Sequence, residues 1–130
     1  VAGNFATDEV IGSLEYGAAV LGAKMLVVLG HSGCGAVDST IALVRGTATF
    51  PPEEFGKIRT VLEGIVPAVE NVIGTVPDDQ LLRRATEENV RLNVARLSTQ
   101  GPILSRRFAS GQLGIVGAYY DIETGVPKPV

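Results

Sequence analysis

The chain has 130 residues, 45% of them hydrophobic and 19% charged, with a formal net charge of −3. That length suits one domain spanning residues 1–130, and the acidic balance leaves no basic footprint for nucleic acid. The longest apolar region, Ala18 to Leu29, is interrupted by Lys24 and falls short of the roughly 20 residues a membrane helix needs. A single cysteine excludes an internal disulfide framework, and no secretory signal precedes the first helical pattern, so a cytoplasmic setting is expected.

Thr7, Asp8 and Glu9 make a polar, acidic helix start, and Val10, Leu14, Ala18 and Leu21 then recur at helical spacing as far as Gly22. Met25 to Leu29 is a continuous apolar run between Lys24 and Gly30, the pattern of a parallel strand covered on both faces. Gly30 to Gly35 reads as a tight turn into a second helix over 36–44. Residues 47–52 read as loop, and 53–74 as a helical region that Pro67 kinks or breaks.

Asp78 and Asp79 open the clearest helix, in which Glu87 precedes Arg91 by four and Val90, Val94 and Leu97 form an apolar stripe. Pro102 opens a short helix holding Ile103, Leu104 and Phe108, closed by Gly111. Leu113 to Tyr120 is a second strand, with one of Tyr119 and Tyr120 expected in the core and the other near a surface. Thr124-Gly125 then turns the chain into 126–130, where Pro127 and Pro129 confine the strand to an edge.

This order predicts an α/β fold with a mostly parallel sheet flanked by helices. Two central strands and an edge are few for so many helices. The chain also starts at Val1 without a methionine, and its only methionine, Met25, falls inside a strand expected to be buried. Both observations lead to the expectation that the fold lacks N-terminal strands here.

The chemistry concentrates in Gly30-His31-Ser32-Gly33-Cys34-Gly35, which holds the only histidine and the only cysteine of the chain. A serine-hydrolase elbow fails on inventory, since the sole histidine is adjacent to Ser32 and no second one can serve as base. A cysteine nucleophile at a helix N-terminus and a glycine-rich phosphate cradle are each compatible with part of the pattern. So is a plain reading in which Cys34 fills the core and His31 is a hydrogen-bonded turn residue. Zinc is the fourth reading, because imidazole and thiolate both bind it and the carboxyl end of a parallel strand is where open α/β sheets place their sites. A catalytic zinc takes about three protein ligands. Asp38 is a conceivable third but reads better as a solvated helix residue, and Ser32 as a turn residue bonded to backbone rather than a proton shuttle.

These residues resemble the beta-class carbonic anhydrases. Ala2-Gly3-Asn4 looks like the end of that family's Arg-Asn-Ala-Gly-Asn segment, with Val1 in its Asn position. Ser13-Leu14-Glu15-Tyr16, then Leu26 to Val37, looks like its helix, strand and zinc loop, and Val116 to Asp121 with Thr124-Gly125 like its C-terminal strand and hairpin. The resemblance covers essentially the whole chain. It implies that His31 and Cys34 are two ligands of a Zn²⁺ ion, and that the intact protein is a lyase catalysing reversible hydration of carbon dioxide to bicarbonate through zinc-bound hydroxide. It also implies a homodimer or homotetramer, with Val10, Leu14 and Ala18 serving either a subunit contact or an intrachain core. Family members carry a Cys-x-Asp-x-Arg segment before the Ala-Gly-Asn block, giving another ligand and an Asp-Arg dyad. Neither is among these 130 residues, so no catalytic residue is assigned and the chain alone is expected to be a weak, partial zinc site. The rival is a non-catalytic carbonic-anhydrase-like binding or regulatory module.

Overall fold

The computed structural model describes residues 1–130. After a short 3-10 turn at Ala2–Asn4 come α1 (Asp8–Ala19), β1 (Met25–His31), α2 (Gly35–Val44), α3 (Pro52–Phe55), α4 (Ile58–Val72), α5 (Asp78–Thr99), α6 (Ile103–Ala109), β2 (Gly114–Asp121) and β3 (Val126–Pro129). The sheet has three strands in the order β1-β2-β3. β1 and β2 are parallel, in register from Met25 opposite Gly114 to His31 opposite Tyr120, and β3 returns antiparallel along the far side of β2. The α/β class is as expected, in the form of a small mixed sheet. β3 lies at the edge, where its prolines remove no ladder bond that a further strand would need.

The helix α5 organises both halves of the interior. Val90 and Leu97 join Leu26, Val28, Ile115, Leu104, Leu113, Ile11 and Ala18 in one apolar cluster over the sheet. Leu81 and Ala85, nearer its start, join Val37, Ile41, Ile65 and Val69 in a second cluster between α2, α4 and α5. Close packing at the sheet depends on two glycines. A Cβ at Gly30 would sit 2.8 Å from both Thr86 Cγ2 and Val90 Cγ2, and one at Gly117 would sit 2.6 Å from Val90 Cγ1. Real carbon atoms do not approach that closely, so only glycine lets α5 settle on the strands.

Two sequence expectations are corrected. The strand over Met25–Leu29 is covered on one face only. Leu26 and Val28 point inward, while Met25, Val27 and Leu29 are 61%, 54% and 46% exposed, because helices pack on just one side of this sheet. Met25 is therefore a surface residue and not a buried one. In the 53–74 region the chain breaks at Gly56, where φ is +55°, and α4 runs through Pro67 without interruption. The break sits where the backbone turns left-handed, a conformation glycine adopts freely. Of the α1 residues, Ala18 lies in the intrachain core with Leu14 packed against it. No helix is long and apolar enough to cross a membrane.

Buried polar groups fasten the N-terminal segment. Asn89 Nδ2 donates to Gly3 O at 2.6 Å and to Asn4 Oδ1 at 3.2 Å, and Asn93 Oδ1 accepts from Ala6 N at 3.1 Å. Asn93 Nδ2 in turn donates to Asn89 O at 2.9 Å. The two amides replace the water that residues 3–6 would otherwise need, and fix that segment across the middle of α5. Gly3 has a φ of +66° and presses against Ile65, where a side chain would collide.

Tyr119 and Tyr120 are both half-buried, so neither is the core residue expected of the pair. The Arg83 guanidinium lies over the Tyr119 ring, 5.3 Å from its centroid, and is held by Glu87, whose carboxylate accepts from Arg83 Nε at 2.9 Å and Arg84 Nη1 at 3.0 Å. Burial raises the Tyr119 phenol above its ordinary value, against an opposing pull from Arg83.

Two outcomes follow from this packing. Gly117→Ala is expected to lose about 1–3 kcal/mol of unfolding free energy in urea titrations. Adding Val90→Ala makes room for the new methyl, so the double variant is more stable than the sum of the two single losses. A phenol raised in the folded state keeps its proton longer than in the unfolded state, where it ionises near 10. Stability therefore falls as pH climbs from about 10 toward the folded value. Urea midpoints across that range should show the fall in the wild type and a smaller one in Tyr119→Phe.

Candidate metal centre

The turn from β1 into α2 is built from a strand that ends abruptly and a helix that starts almost at once. His31 closes β1, Gly33 reverses the chain at a φ of +65°, and Cys34, with extended backbone, precedes the first residue of α2. Three residues thus carry the chain from sheet to helix, placing His31 and Cys34 at the carboxyl end of a parallel strand pair. Asp38 N bonds Cys34 O at 3.0 Å, so the helix begins directly beneath the cysteine.

His31 is half-buried, and its Nδ1 lies 2.9 Å from Ser32 O. A carbonyl oxygen only accepts, so Nδ1 carries a proton, and in the neutral ring the lone pair is on Nε2. Imidazoles that bind metals are commonly held this way, by donation from the other ring nitrogen to a carbonyl or carboxylate. Cys34 is 4% exposed and belongs to the apolar cluster of Val37, Ile41 and Ile65. Its sulfur is free of any disulfide.

Ser32 bonds only to backbone, as its sequence position suggested. Its N–H donates to Tyr120 O at 2.9 Å, and its hydroxyl accepts from Ile122 N at 2.9 Å. Asp38 is exposed on α2, the solvated role expected of it. No three of the chain's His, Cys, Asp and Glu side chains gather closely enough to hold a metal ion. The donor set here is thus one imidazole nitrogen with a free lone pair and one sulfur. Both suit zinc, and a catalytic zinc takes about three protein ligands, for which this turn offers two candidates.

Sequence reasoning did not single out Asn89 and Asn93, although they carry the N-terminal segment to this turn. A Cβ built on Gly3 would lie 3.4 Å from the Ala36 Cβ in the first turn of α2. The Ala-Gly-Asn block and the His-x-x-Cys block, 30 residues apart in sequence, are therefore neighbours in space. The available signal was two asparagines four residues apart, on the same side of a helix as its apolar stripe, where an unpaired amide would be costly.

Comparison with known proteins shows the family and the fold. The sequence profile of the carbonic anhydrase family matches residues 1–126. Carbonic anhydrase 2 of Mycobacterium tuberculosis is 34% identical over 124 residues, which is 95% of this chain and 57% of that protein. Among solved structures, a tetrameric beta-carbonic anhydrase of Sordaria macrospora superposes with a TM-score of 0.81 at 21% identity, over 97% of this chain and 61% of that one. A Coccomyxa beta-carbonic anhydrase in complex with acetazolamide gives 0.80 at 23% identity, over 99% and 58%. The chain thus spans a little over half the length of the relatives it matches. Profile and sequence agree, and the chain belongs to the carbonic anhydrase family, with the fold of the beta-carbonic anhydrases.

Proposed function

We propose that the intact protein catalyses the reversible hydration of carbon dioxide to bicarbonate, with His31 and Cys34 as two ligands of a zinc ion. The observation that carries this reading is the His31 ring: its Nδ1–H is committed to Ser32 O, which leaves Nε2 as a donor at the strand end. Zinc, when bound, makes water acidic enough to serve as a nucleophile near neutral pH. The chain's own residues orient the imidazole, supply a sulfur from a dry cluster, and hold the turn rigid between sheet and helix. Residues 1–130 provide two ligands, and the family resemblance implies a third from a Cys-x-Asp-x-Arg segment preceding the Ala-Gly-Asn block.

The same reading includes a homodimer or homotetramer in a cytoplasmic setting. Met25, Val27, Leu29 and Val116 leave one sheet face apolar and exposed, which suits burial against other protein. A cysteine that must stay reduced to bind metal suits a reducing compartment.

The deciding experiment measures zinc content and carbon dioxide hydration, by stopped-flow with a pH indicator, on the intact protein. His31→Ala and Cys34→Ser should each abolish hydration. Each should also weaken zinc binding by more than the ~10–100-fold typical of losing an outer-shell partner. In the 130-residue chain zinc should bind weakly and hydration should stay at background. Tight stoichiometric zinc with full activity in that chain would remove the need for a third ligand from elsewhere. An intact wild type that binds no zinc would favour a non-catalytic member of the family.

A further inference from the structure

All three polar groups of Ser32 are engaged, each with a different part of the site. The N–H reaches Tyr120 O on β2, the hydroxyl takes the N–H of Ile122 in the hairpin, and the carbonyl takes Nδ1–H of His31. The hairpin end is itself well organised. Asp121 Oδ1 accepts from Glu123 N at 2.9 Å and Thr124 N at 3.2 Å, and Asp121 O accepts from Gly125 N at 2.8 Å. The Ile122 N–H is therefore presented from a fixed turn.

On the other side of Ser32 the chain passes through Gly33 to the buried Cys34. Gly33 is at a φ of +65°, with open space where a side chain would be. The peptide carrying the Ser32 carbonyl lies between Ser32 and this glycine, which has no side chain to help hold it. The restraints act from the near side, through the Ser32 N–H and hydroxyl.

From this we infer that Ser32 is a positioning residue, through which the β2–β3 hairpin sets the orientation and tautomer of the His31 imidazole. The hydroxyl tie to Ile122 holds Ser32, the held Ser32 carbonyl keeps the proton on Nδ1, and Nε2 is left as the donor. The consequence for zinc rests on the function proposed above, whereas the coupling itself does not.

Because His31 is the only histidine, its ring nitrogens give unambiguous ¹⁵N signals, read without metal at a pH where the ring is neutral. The wild type should show the Nδ1–H tautomer predominating. Ser32→Ala should shift the ring toward the Nε2–H form that free imidazole side chains favour in water, and Ser32→Thr, which keeps the hydroxyl, should restore the wild-type signal. Asp121→Ala, which loosens the hairpin, should move the tautomer the same way and add little to Ser32→Ala in the double variant. In the intact protein, zinc affinity of Ser32→Ala should fall roughly 10–100-fold.

An unchanged tautomer in Ser32→Ala, with circular dichroism like the wild type's, overturns the coupling whatever zinc does. A shifted tautomer in a protein whose wild type binds no zinc upholds the coupling and counts against the zinc reading instead.

Discussion

The contact on which the rest of the architecture depends is Val90 of α5 seated against two bare backbone positions, Gly30 on β1 and Gly117 on β2. The γ-carbons of one valine fill the space where both glycines would carry a side chain. Parallel pairing puts Val28 opposite Gly117 and Gly30 opposite Tyr119, so the two glycines are diagonal neighbours across adjacent strands. With α5 this close, its later residues pack over the sheet and its earlier ones reach α2 and α4. Asn89 and Asn93, on either side of Val90 in sequence, are thereby brought to the N-terminal segment. One helix so closely docked aligns the strand end, the start of α2 and the Ala-Gly-Asn turn.

That arrangement also explains how so short a turn holds two dissimilar candidate ligands. His31 finishes a strand and Cys34 precedes a helix, so each takes its direction from a regular element and little is left to the loop. The cysteine sits buried in an apolar cluster. The histidine is fixed by a carbonyl bond that selects its tautomer. Placement on rigid elements is what a metal centre requires, because donors must meet one point within tenths of an ångström.

The sheet's two faces differ in a way that bears on the same site. Alternation along β1 puts Leu26, Val28 and Gly30 toward α5 and Met25, Val27, Leu29 and His31 on the opposite side. The candidate ligand thus continues the exposed apolar row rather than the buried one. A protein surface packed on that row would pass close to the imidazole, because the two-residue period of one strand puts both on the same face.

Much of this was legible in the residues themselves. The helix starts at Asp8 and Asp78, the short helix after Pro102, the edge strand with Pro127 and Pro129, and the turn bearing His31 and Cys34 all follow from local chemistry: acids in a first helical turn, proline's missing N–H, and a histidine and a cysteine three residues apart. Read locally, the residues were enough for the order of elements, the α/β class and the address of the candidate metal ligands. Folding was needed to show that β1 is covered on one face, that the 53–74 region breaks at Gly56 and not at Pro67, that Asn89 and Asn93 are fasteners, and that the hairpin reaches His31 through Ser32. The physical reason is that propensity and periodicity act over a few residues. The close approach of Val90 to Gly30 and Gly117, and the hydrogen bonds from Asn89 to Gly3 and from Ile122 to Ser32, the latter two spanning 86 and 90 residues, join positions that meet only when the chain is folded.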